Sequence, residues 1–530
     1  MQHTILVTGA LHPQAIQALH ANKNYLVIDQ PDCSKETLLK HISSAHVLVT
    51  RSETDVDKEL IDQAPHLKIL ARAAVGVGNI NIDYATEKGI LVINTPGKNT
   101  NSAAEMTFAL LLAMMRKLPE AQNHLKAGLW QRHQFQGTEL RGKSIGIVGL
   151  GNVGHRVAKF AHGFDMRVYA YDPYTSPDLF TRYGVIPCSS LKELASQVTI
   201  LSVHVPLNQE TRAFISQDVL SALPPGSYVL NAARGEVMDE KALRELLISG
   251  HISACGIDTW CKEPKPWSEL WSLPQVYATP HIGASTVEAQ LAIGMSIVEQ
   301  IQKALAGQVV DHPINLPYMD PGTNPLLRPY TTLAEKLGSL IAQLYGLNPQ
   351  KMEIHYRGDL AGVDRGLIRV GLMKGYLSHS SGEYISYVNA EPFFKKLAIR
   401  MEESDDPDFQ NYKSSIKINV TNQKGQSLTV GGLVFDQKYI RRSMIDRFHF
   451  EIEPMGRILV VQNKDRPGVI GALGSILASE RINIDSFDLC RDKEGGEAMA
   501  LIKVDQPVPD ALLTQIELLE NVISARVVSL

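Results

Sequence analysis

The chain has 530 residues, 44% hydrophobic and 20% charged, a length that suits several domains at about 150 residues each and a composition that excludes a disordered chain. Its 52 Lys and Arg nearly balance 56 Asp and Glu, leaving a net charge of −4. That balance offers no bulk electrostatic reason to bind nucleic acid or an anionic membrane. No apolar run reaches the ~18 residues a membrane span needs. The first apolar run, Ile5-Leu6-Val7, has no Lys or Arg before it and ends at Thr8-Gly9, which reads as strand and turn rather than a secretory leader. Five cysteines (Cys33, Cys188, Cys255, Cys261, Cys490) are scattered and odd in number, as expected of a reducing cytoplasm. His251, Cys255 and Cys261 lie near each other but match no zinc spacing, so no metal site is expected.

Through residue 310 short apolar runs alternate with helical patterns. Val47 to Val49, Lys68 to Ala71, Ile90 to Ile93, Ser144 to Val148, Arg167 to Tyr171, Thr199 to Val203, Tyr228 to Leu230 and Ser253 to Ile257 read as buried strands. Helices between them predict parallel α/β sheets. After His281 a helix is expected with Val287, Leu291, Ile297, Ile301 and Leu305 on one face. Prolines at 313, 317, 321, 325 and 329 then predict a linker. A helix with the stripe Leu333, Leu337, Ile341 and Leu344 follows, then a half-solvated strand from Lys351 to Arg357, in α+β style. From Arg457 the order is strand, helix, strand, strand, helix, strand, the pattern of a small ferredoxin-like module.

The sharpest local signal is Gly149-Leu-Gly151-Asn152-Val153-Gly154, after the apolar strand and at the start of a helix. A second strand ends at Asp172, about 20 residues on, as a dinucleotide fingerprint requires. Gly149 permits the tight turn, Gly151 admits a pyrophosphate and Gly154 lets helix and strand pack closely. Asp172 suits a ribose 2′-hydroxyl and repels a 2′-phosphate, which favours NAD. Three further segments end strands: Asn231 to Glu236, Gly256 to Pro264 and Thr279 to Ser285. Ligands in open α/β sheets bind outside the carboxyl ends of strands, so Arg234, Glu263 and His281 are expected to converge beside the nicotinamide. His281 is the candidate general acid/base, Glu263 its partner, and Arg234 the carboxylate ligand.

These four motifs, in this order, resemble the D-isomer-specific 2-hydroxyacid dehydrogenase family over residues 1–310. The resemblance implies an NAD-binding Rossmann domain (99–280) inserted into a substrate-binding domain (1–98 and 281–312). It places Val75, Val205, Ala232, Asp258, Gly283 and Ala284 along the cofactor, with Asn152, Val153, Arg234 and His281. Val75 stands where some relatives carry Thr, so only a backbone contact is expected there. Thr259-Trp260 replaces the usual aliphatic-Phe pair after Asp258. Arg51, Arg72 and Arg132, with the run Asn94 to Glu105, resemble the phosphoglycerate branch of this family. There the first two bind the substrate phosphate and Arg132 reaches in from a neighbouring subunit.

Residues 318–455 resemble the intervening domain of the long form of these dehydrogenases, through Leu333 to Leu340 and Val388-Asn389-Ala390. Lys438, Arg441, Arg442, Arg447 and His449 read either as a second anion site or as a solvated basic face. Residues 456–530 resemble an ACT domain, an amino-acid-binding regulatory module. Asn463, Asp465 and Asn483 are its candidate effector residues, with Pro467-Gly468 opening a helix whose N–H groups suit a carboxylate. Relatives often carry His or Tyr at the position of Asn463. Together the resemblances imply NAD-dependent phosphoglycerate oxidation for serine synthesis, in a cytoplasmic homo-oligomer, a tetramer by family likeness, with serine as effector. The alternatives are a dehydrogenase of another 2-hydroxy acid such as 2-hydroxyglutarate, and an NAD-sensing binding protein of corepressor type.

Overall fold

The buried runs of the first 300 residues become strands of two parallel sheets in the computed structural model. It describes residues 2–530 apart from 264–267, 307, 309, 318–323, 346–348, 381–383, 407–413, 436–438 and 453–454, and not the side chains of 324, 325, 345, 380, 439, 441–443, 451 and 452. Pro264, Pro321 and Lys438 thus lie outside the described residues, as do the side chains of Pro325, Arg441 and Arg442.

The first sheet has five strands in the order Tyr25–Asp29, His3–Val7, Val47–Thr50, Ile69–Arg72, Leu91–Ile93, all parallel. Helix Val287–Leu305 returns late in the chain to pack Ile293, Ile297 and Ile301 on this sheet with Ile5, Val7, Val47 and Ile69. The second sheet has seven strands: Val276–Ala278, Ile252–Ile257, Ser227–Asn231, Ile200–Val203, Ser144–Val148, Arg167–Tyr171 and Ile186–Pro187, again all parallel. Its strand order reverses beside Ser144–Val148, which puts a crevice at the carboxyl end of that strand. Helix Thr100–Arg116 buries Phe108, Leu111 and Met115 against the second sheet.

The remaining sheets are mixed and antiparallel. Pro349–Gly358 buries Met352, Ile354 and Tyr356 and is a strand of a six-stranded sheet, parallel to Arg400–Asp406 and antiparallel to Ser414–Asn422. Helices Asn324–Tyr345 and Gly366–Ser380 cross closely, because a Cβ at Gly375 would stand 1.9 Å from Glu335 O and one at Gly338 2.3 Å from Leu372 O. The last sheet, in the order Ile484–Arg491, Glu497–Val504, Arg457–Lys464, Val522–Ser529, is antiparallel and ferredoxin-like. One face of it, with Ile458, Val460, Leu501 and Val528, shares a core with residues 327–450.

Two expectations need correction. The proline-rich linker ends earlier than predicted: helix Asn324–Tyr345 begins before Pro325 and contains Pro329. Pro325 falls in the first turn, where its missing N–H has no intrahelical partner to lose, and burial of Leu327, Tyr330 and Leu333 offsets the kink cost at Pro329. Val287, assigned to the apolar stripe, is exposed at the first residue of its helix, while Ala289, Ile293, Ile297 and Ile301 form the buried row at intervals of four. Arg447, read either as part of a second anion site or of a solvated basic face, is exposed as the second reading has it, but its charge is already paired, with Asp492 at 3.4 Å and with Glu497 across the last two sheets, which disfavours the anion-site reading. His449 is exposed and its backbone N–H points at Cys490 Sγ.

Candidate active site

Strand Ser144–Val148 ends at Gly149, whose φ of +89° demands a residue without Cβ. A Cβ there would also stand 2.8 Å from His204 O and from Val205 Cγ1. Gly154 packs tighter still, with its Cβ position 2.0 Å from Gly149 O. Around Gly151 there is open space, and helix Asn152–Gly163 starts there with no side-chain cap. Its first N–H groups and its positive dipole end are therefore free for an anion. Asp172 Oδ2 accepts the Leu150 N–H at 2.8 Å, and its Oδ1 accepts from Tyr174 and Thr175. The carboxylate is held at the crevice with lone pairs to spare for a ribose. The donor set fits the pyrophosphate and ribose of NAD. His204, next to Val205, bonds Ser202 Oγ at 2.8 Å, and burial lowers its imidazole to about 4.

At the ends of the neighbouring strands stand the acid/base candidates. His281 Nδ1 meets Glu263 Oε2 at 2.6 Å, and Glu263 Oε1 accepts the Trp260 N–H at 2.8 Å. Burial pushes the Glu263 carboxyl up, but the bonds from His281 and Trp260 and the charges of His281 and Arg234 outweigh it and hold it below the usual value. His281 itself has φ +53°, a left-handed conformation that costs on the order of 1–3 kcal/mol and persists only where surroundings enforce it. Asp258 supplies much of that enforcement. It is 1% exposed and accepts from Thr279 Oγ1 at 2.7 Å and from the backbone N–H groups of Ile282 and Gly283 at 2.8 Å each. The geometry thus makes Asp258 the clamp of the His281 turn.

Arg234 follows Ala232-Ala233, where Asn231 Oδ1 takes the Ala233 N–H and Asn231 Nδ2 donates to Arg234 O. Its guanidinium donates to Ala233 O at 2.6 Å and reaches toward the first sheet, where a Cβ at Gly76 would stand 2.8 Å from Nη2. Glu263 and His281 are brought into contact; Arg234 acts on Glu263 by charge rather than by a bond.

The first sheet contributes two of the three predicted arginines. Arg72 is 6% exposed, donates from Nε to Gly76 O at 3.0 Å and from Nη2 to Ser52 Oγ at 3.3 Å, and its buried Nη1 has no partner among the described residues. Burial lowers its guanidinium to about 10; Glu53 opposes this, and the charges of Arg51 and Arg234 add to it. Arg51 packs on Gly9, donates to Ala10 O and bonds Gln290 Oε1 at 2.7 Å. Gln290 in turn donates to Ala284 O. Arg132 lies in the short 3-10 helix Arg132–Phe135, exposed, and is not brought to the other two by any hydrogen bond or ion pair among the described residues. Val75 O accepts from Asn94 Nδ2 at 2.7 Å. Sequence reasoning missed Gly76, Gln290 and Trp260. Gly76 and Gln290 carried a weak signal, for both flank segments that end in predicted site residues.

The candidate effector residues are not gathered in one place. Asn463 is 3% exposed, and its Oδ1 is buried without a partner among the described residues, while its Nδ2 donates to Lys464 O. Asp465 Oδ2 already accepts from Arg491 Nη1 and the Gly495 N–H. Helix Val469–Ser479 starts at Gly468 with φ +99° and no side-chain cap. Asn483 is exposed and donates to Asp505 Oδ2. Asn463 pairs with Ala498 and Ile484 with Val504, so Asn483 sits at the far end of the shared strand, about 20 Å away at ~3.3 Å per residue.

Comparison with known proteins fits this geometry. The NAD-binding domain of D-isomer-specific 2-hydroxyacid dehydrogenases matches residues 108–283, the D-3-phosphoglycerate dehydrogenase intervening domain matches 326–446, and the ACT domain matches 457–520. The D-3-phosphoglycerate dehydrogenase of Methanocaldococcus jannaschii is 36% identical over 526 residues, covering 99% of both chains. The chain belongs to the D-3-phosphoglycerate dehydrogenase family. The family's Bacillus subtilis member is 34% identical, again over 99% of both chains. Among solved structures, the TT0316 protein of Thermus thermophilus is 33% identical with a TM-score of 0.54, covering 59% of this chain and 99% of its own. D-lactate dehydrogenase of Aquifex aeolicus, complexed with NAD and lactic acid, is 28% identical with a TM-score of 0.52, at the same coverage of each. The chain is thus an NAD-dependent dehydrogenase of this family, with an ACT domain at its C-terminal end. No helix among the described residues is long and apolar enough to cross a membrane.

Proposed function

We propose that this chain oxidises D-3-phosphoglycerate to 3-phosphohydroxypyruvate, the first step of L-serine biosynthesis. The observation that carries the reading is Arg72: a buried guanidinium with an unpartnered Nη1, beside Arg51 and Arg234, at the strand ends that face the Glu263–His281 pair. A dianionic phosphate matches such a cluster through charge-assisted bonds. Arg51 and Arg72 hold the phosphate; Arg234 holds the carboxylate. His281 Nε2 takes the C2 hydroxyl proton, and Glu263 supports the resulting imidazolium through Nδ1. When bound, NAD supplies the acceptor for the C2 hydride. Gly149, Gly151, Asn152, Val153 and Gly154 hold its pyrophosphate and Asp172 its ribose. Val75, Val205, Ala232, Asp258, Gly283 and Ala284 line the cofactor side. Residues 1–98 with 281–312 form the substrate domain and 99–280 the cofactor domain, in keeping with the return of helix Val287–Leu305 to the first sheet.

A homo-oligomer completes the site. Helix Leu118–Lys126 buries none of its residues, and Trp130, two positions before Arg132, is 79% exposed. Such an apolar face favours a second copy of this chain, which would carry Arg132 to its neighbour's phosphate. L-serine is the proposed effector of the ACT domain: Asn463 Oδ1 lacks the donor that an α-amino group provides, and the separation of Asn483 calls for a site formed between two copies. A cytoplasmic location suits five free cysteines. The test is NADH formation with 3-phosphoglycerate, D-glycerate and 2-hydroxyglutarate, each with and without L-serine. Turnover selective for the phosphorylated acid supports the reading. Equal turnover of all three sinks the phosphate assignment.

A further inference from the structure

We propose that Trp260 is a positioning residue that locks the acid/base pair by holding three separate segments at once. The inference rests on the reading of Glu263 and His281 as that pair. Trp260 is 4% exposed, three residues past the end of strand Ile252–Ile257. Its backbone N–H donates to Glu263 Oε1 at 2.8 Å. Its indole N–H donates to Thr279 O at 3.0 Å, two residues before His281. Its backbone is also the floor under the Arg234 loop, because a Cβ at Gly235 would stand 2.1 Å from Trp260 C and 2.4 Å from Cys261 N. The ring is fixed edge-on against Trp271, with centroids 5.3 Å apart.

These contacts act on a strained point. His281 has φ +53°, and a left-handed histidine relaxes unless both its flanks are held. Asp258 holds the far flank through the N–H groups of Ile282 and Gly283 and the near flank through Thr279 Oγ1. The near flank's carbonyl is held by the Trp260 indole. Phenylalanine fills much of the same space but has no N–H, so the half-buried Thr279 O loses that donor. With that bond gone the His281 backbone is free to rotate toward an ordinary conformation, and the 2.6 Å bond to Glu263 lengthens. Glu263 then loses a donor that keeps it ionised.

The experiment compares W260F with W271F in the full-length protein. W271F keeps an aromatic ring against Trp260 and leaves the indole bond in place. For W260F, kcat should fall about tenfold or more, as misplacement of an acid/base group by a fraction of an ångström does, with KM changed less than about threefold. The acid limb of its kcat/KM profile should move to lower pH, because the imidazolium loses carboxylate support, and W271F should show neither change. An isosteric benzothienylalanine at position 260, which removes only the N–H, should reproduce the W260F loss. It covers the case in which the phenylalanine variant folds poorly. A readout independent of turnover is the ring resonance of His281 in histidine-labelled protein, assigned with H281Q. That resonance should shift in W260F and stay put in W271F. An unchanged resonance, or a W260F enzyme with normal kcat and pH profile and only a lowered melting point, overturns the inference. Absence of turnover in the unaltered protein would sink the proposed reaction instead, and the resonance would still decide the role of Trp260.

Discussion

Replacing Arg72 by methionine separates the two things a buried charge does. The guanidinium is lowered from its ordinary value to about 10, chiefly through burial. At about 1.4 kcal/mol per pH unit that is roughly 3 kcal/mol of unfavourable charge burial. The sign is clear: a base with a depressed value binds fewer protons folded than unfolded between these limits, so the penalty is fully present at neutral pH and lifts only as pH rises beyond 10. Against it stand two hydrogen bonds, to Gly76 O and Ser52 Oγ, at about 1 to 1.5 kcal/mol each. The balance is near zero, so Arg72→Met should leave the melting temperature of the free protein within a few degrees. Catalysis should not be spared. A charge-assisted bond from the free Nη1 to a phosphate contributes about 1.5–3 kcal/mol, which predicts a loss of roughly 10- to 10²-fold in kcat/KM for 3-phosphoglycerate. D-glycerate, which has no phosphate, should lose less than about threefold. NADH absorbance measures both, and thermal melting measures the rest. A variant that loses activity equally on both acids, or melts many degrees lower, would show that Arg72 is a structural residue and the phosphate site lies elsewhere.

Glu263→Gln should lower kcat by about 10³-fold with little change in KM, since it keeps the shape and removes the charge that supports the imidazolium. Because the Glu263 carboxyl lies below 4.5 in the folded protein, its ionised form adds stability above that pH, and this is lost as pH falls through the lowered value. The melting difference between the unaltered protein and E263Q should therefore shrink as pH is taken from 6 downward, and a constant difference would contradict the pairing. Gly154→Ala places a methyl 2.0 Å from Gly149 O; overpacking of this kind costs about 1–3 kcal/mol. Dissociation of NAD followed by fluorescence should weaken tenfold or more in this variant, and unaltered binding would refute the close-packing role. The Cys261 thiol is pushed up to about 12 by burial and by the Glu240 and Glu236 carboxylates, so iodoacetamide at pH 8 should label it far more slowly than a free cysteine, as peptide mass spectrometry can follow.

What was legible in the sequence was whatever the backbone demands locally. Gly149, Gly151 and Gly154 announce themselves by their fixed spacing, and the structure shows the expected tight turn at Gly149 and the close packing at Gly154. Strand ends were legible for the same reason, since apolar runs stop where the chain turns out of the sheet. Tertiary facts were not. Nothing local marks Arg72 as buried when arginine is usually exposed. Trp260 reads only as an oddity in its motif, because the partner of its indole, Thr279 O, meets it through the fold. Pro329 misled through its own chemistry: its helix-breaking tendency is real, but Leu327, Tyr330 and Leu333 around it bury enough surface to override it. For Arg447 the charge and the exposure were visible, but its acidic partners, Asp492 and Glu497, lie over 40 residues on.

The division of labour between the two parallel sheets explains why so many cleft residues are tied to one another. The arginines proposed to bind the phosphate stand at strand ends of the first sheet, and the proposed acid/base pair and dinucleotide turn at strand ends of the second, so on this reading reactive geometry depends on how one sheet is set against the other. Two links carry that setting through side chains. Arg234 leaves the second sheet and lies against Gly76 of the first, where any side chain would displace its Nη2. Arg51 leaves the first sheet and bonds Gln290, which holds Ala284 O three residues past His281. With Arg51 holding the substrate phosphate as proposed, these two bonds tie the phosphate contact directly to the turn that carries the proposed acid/base residue.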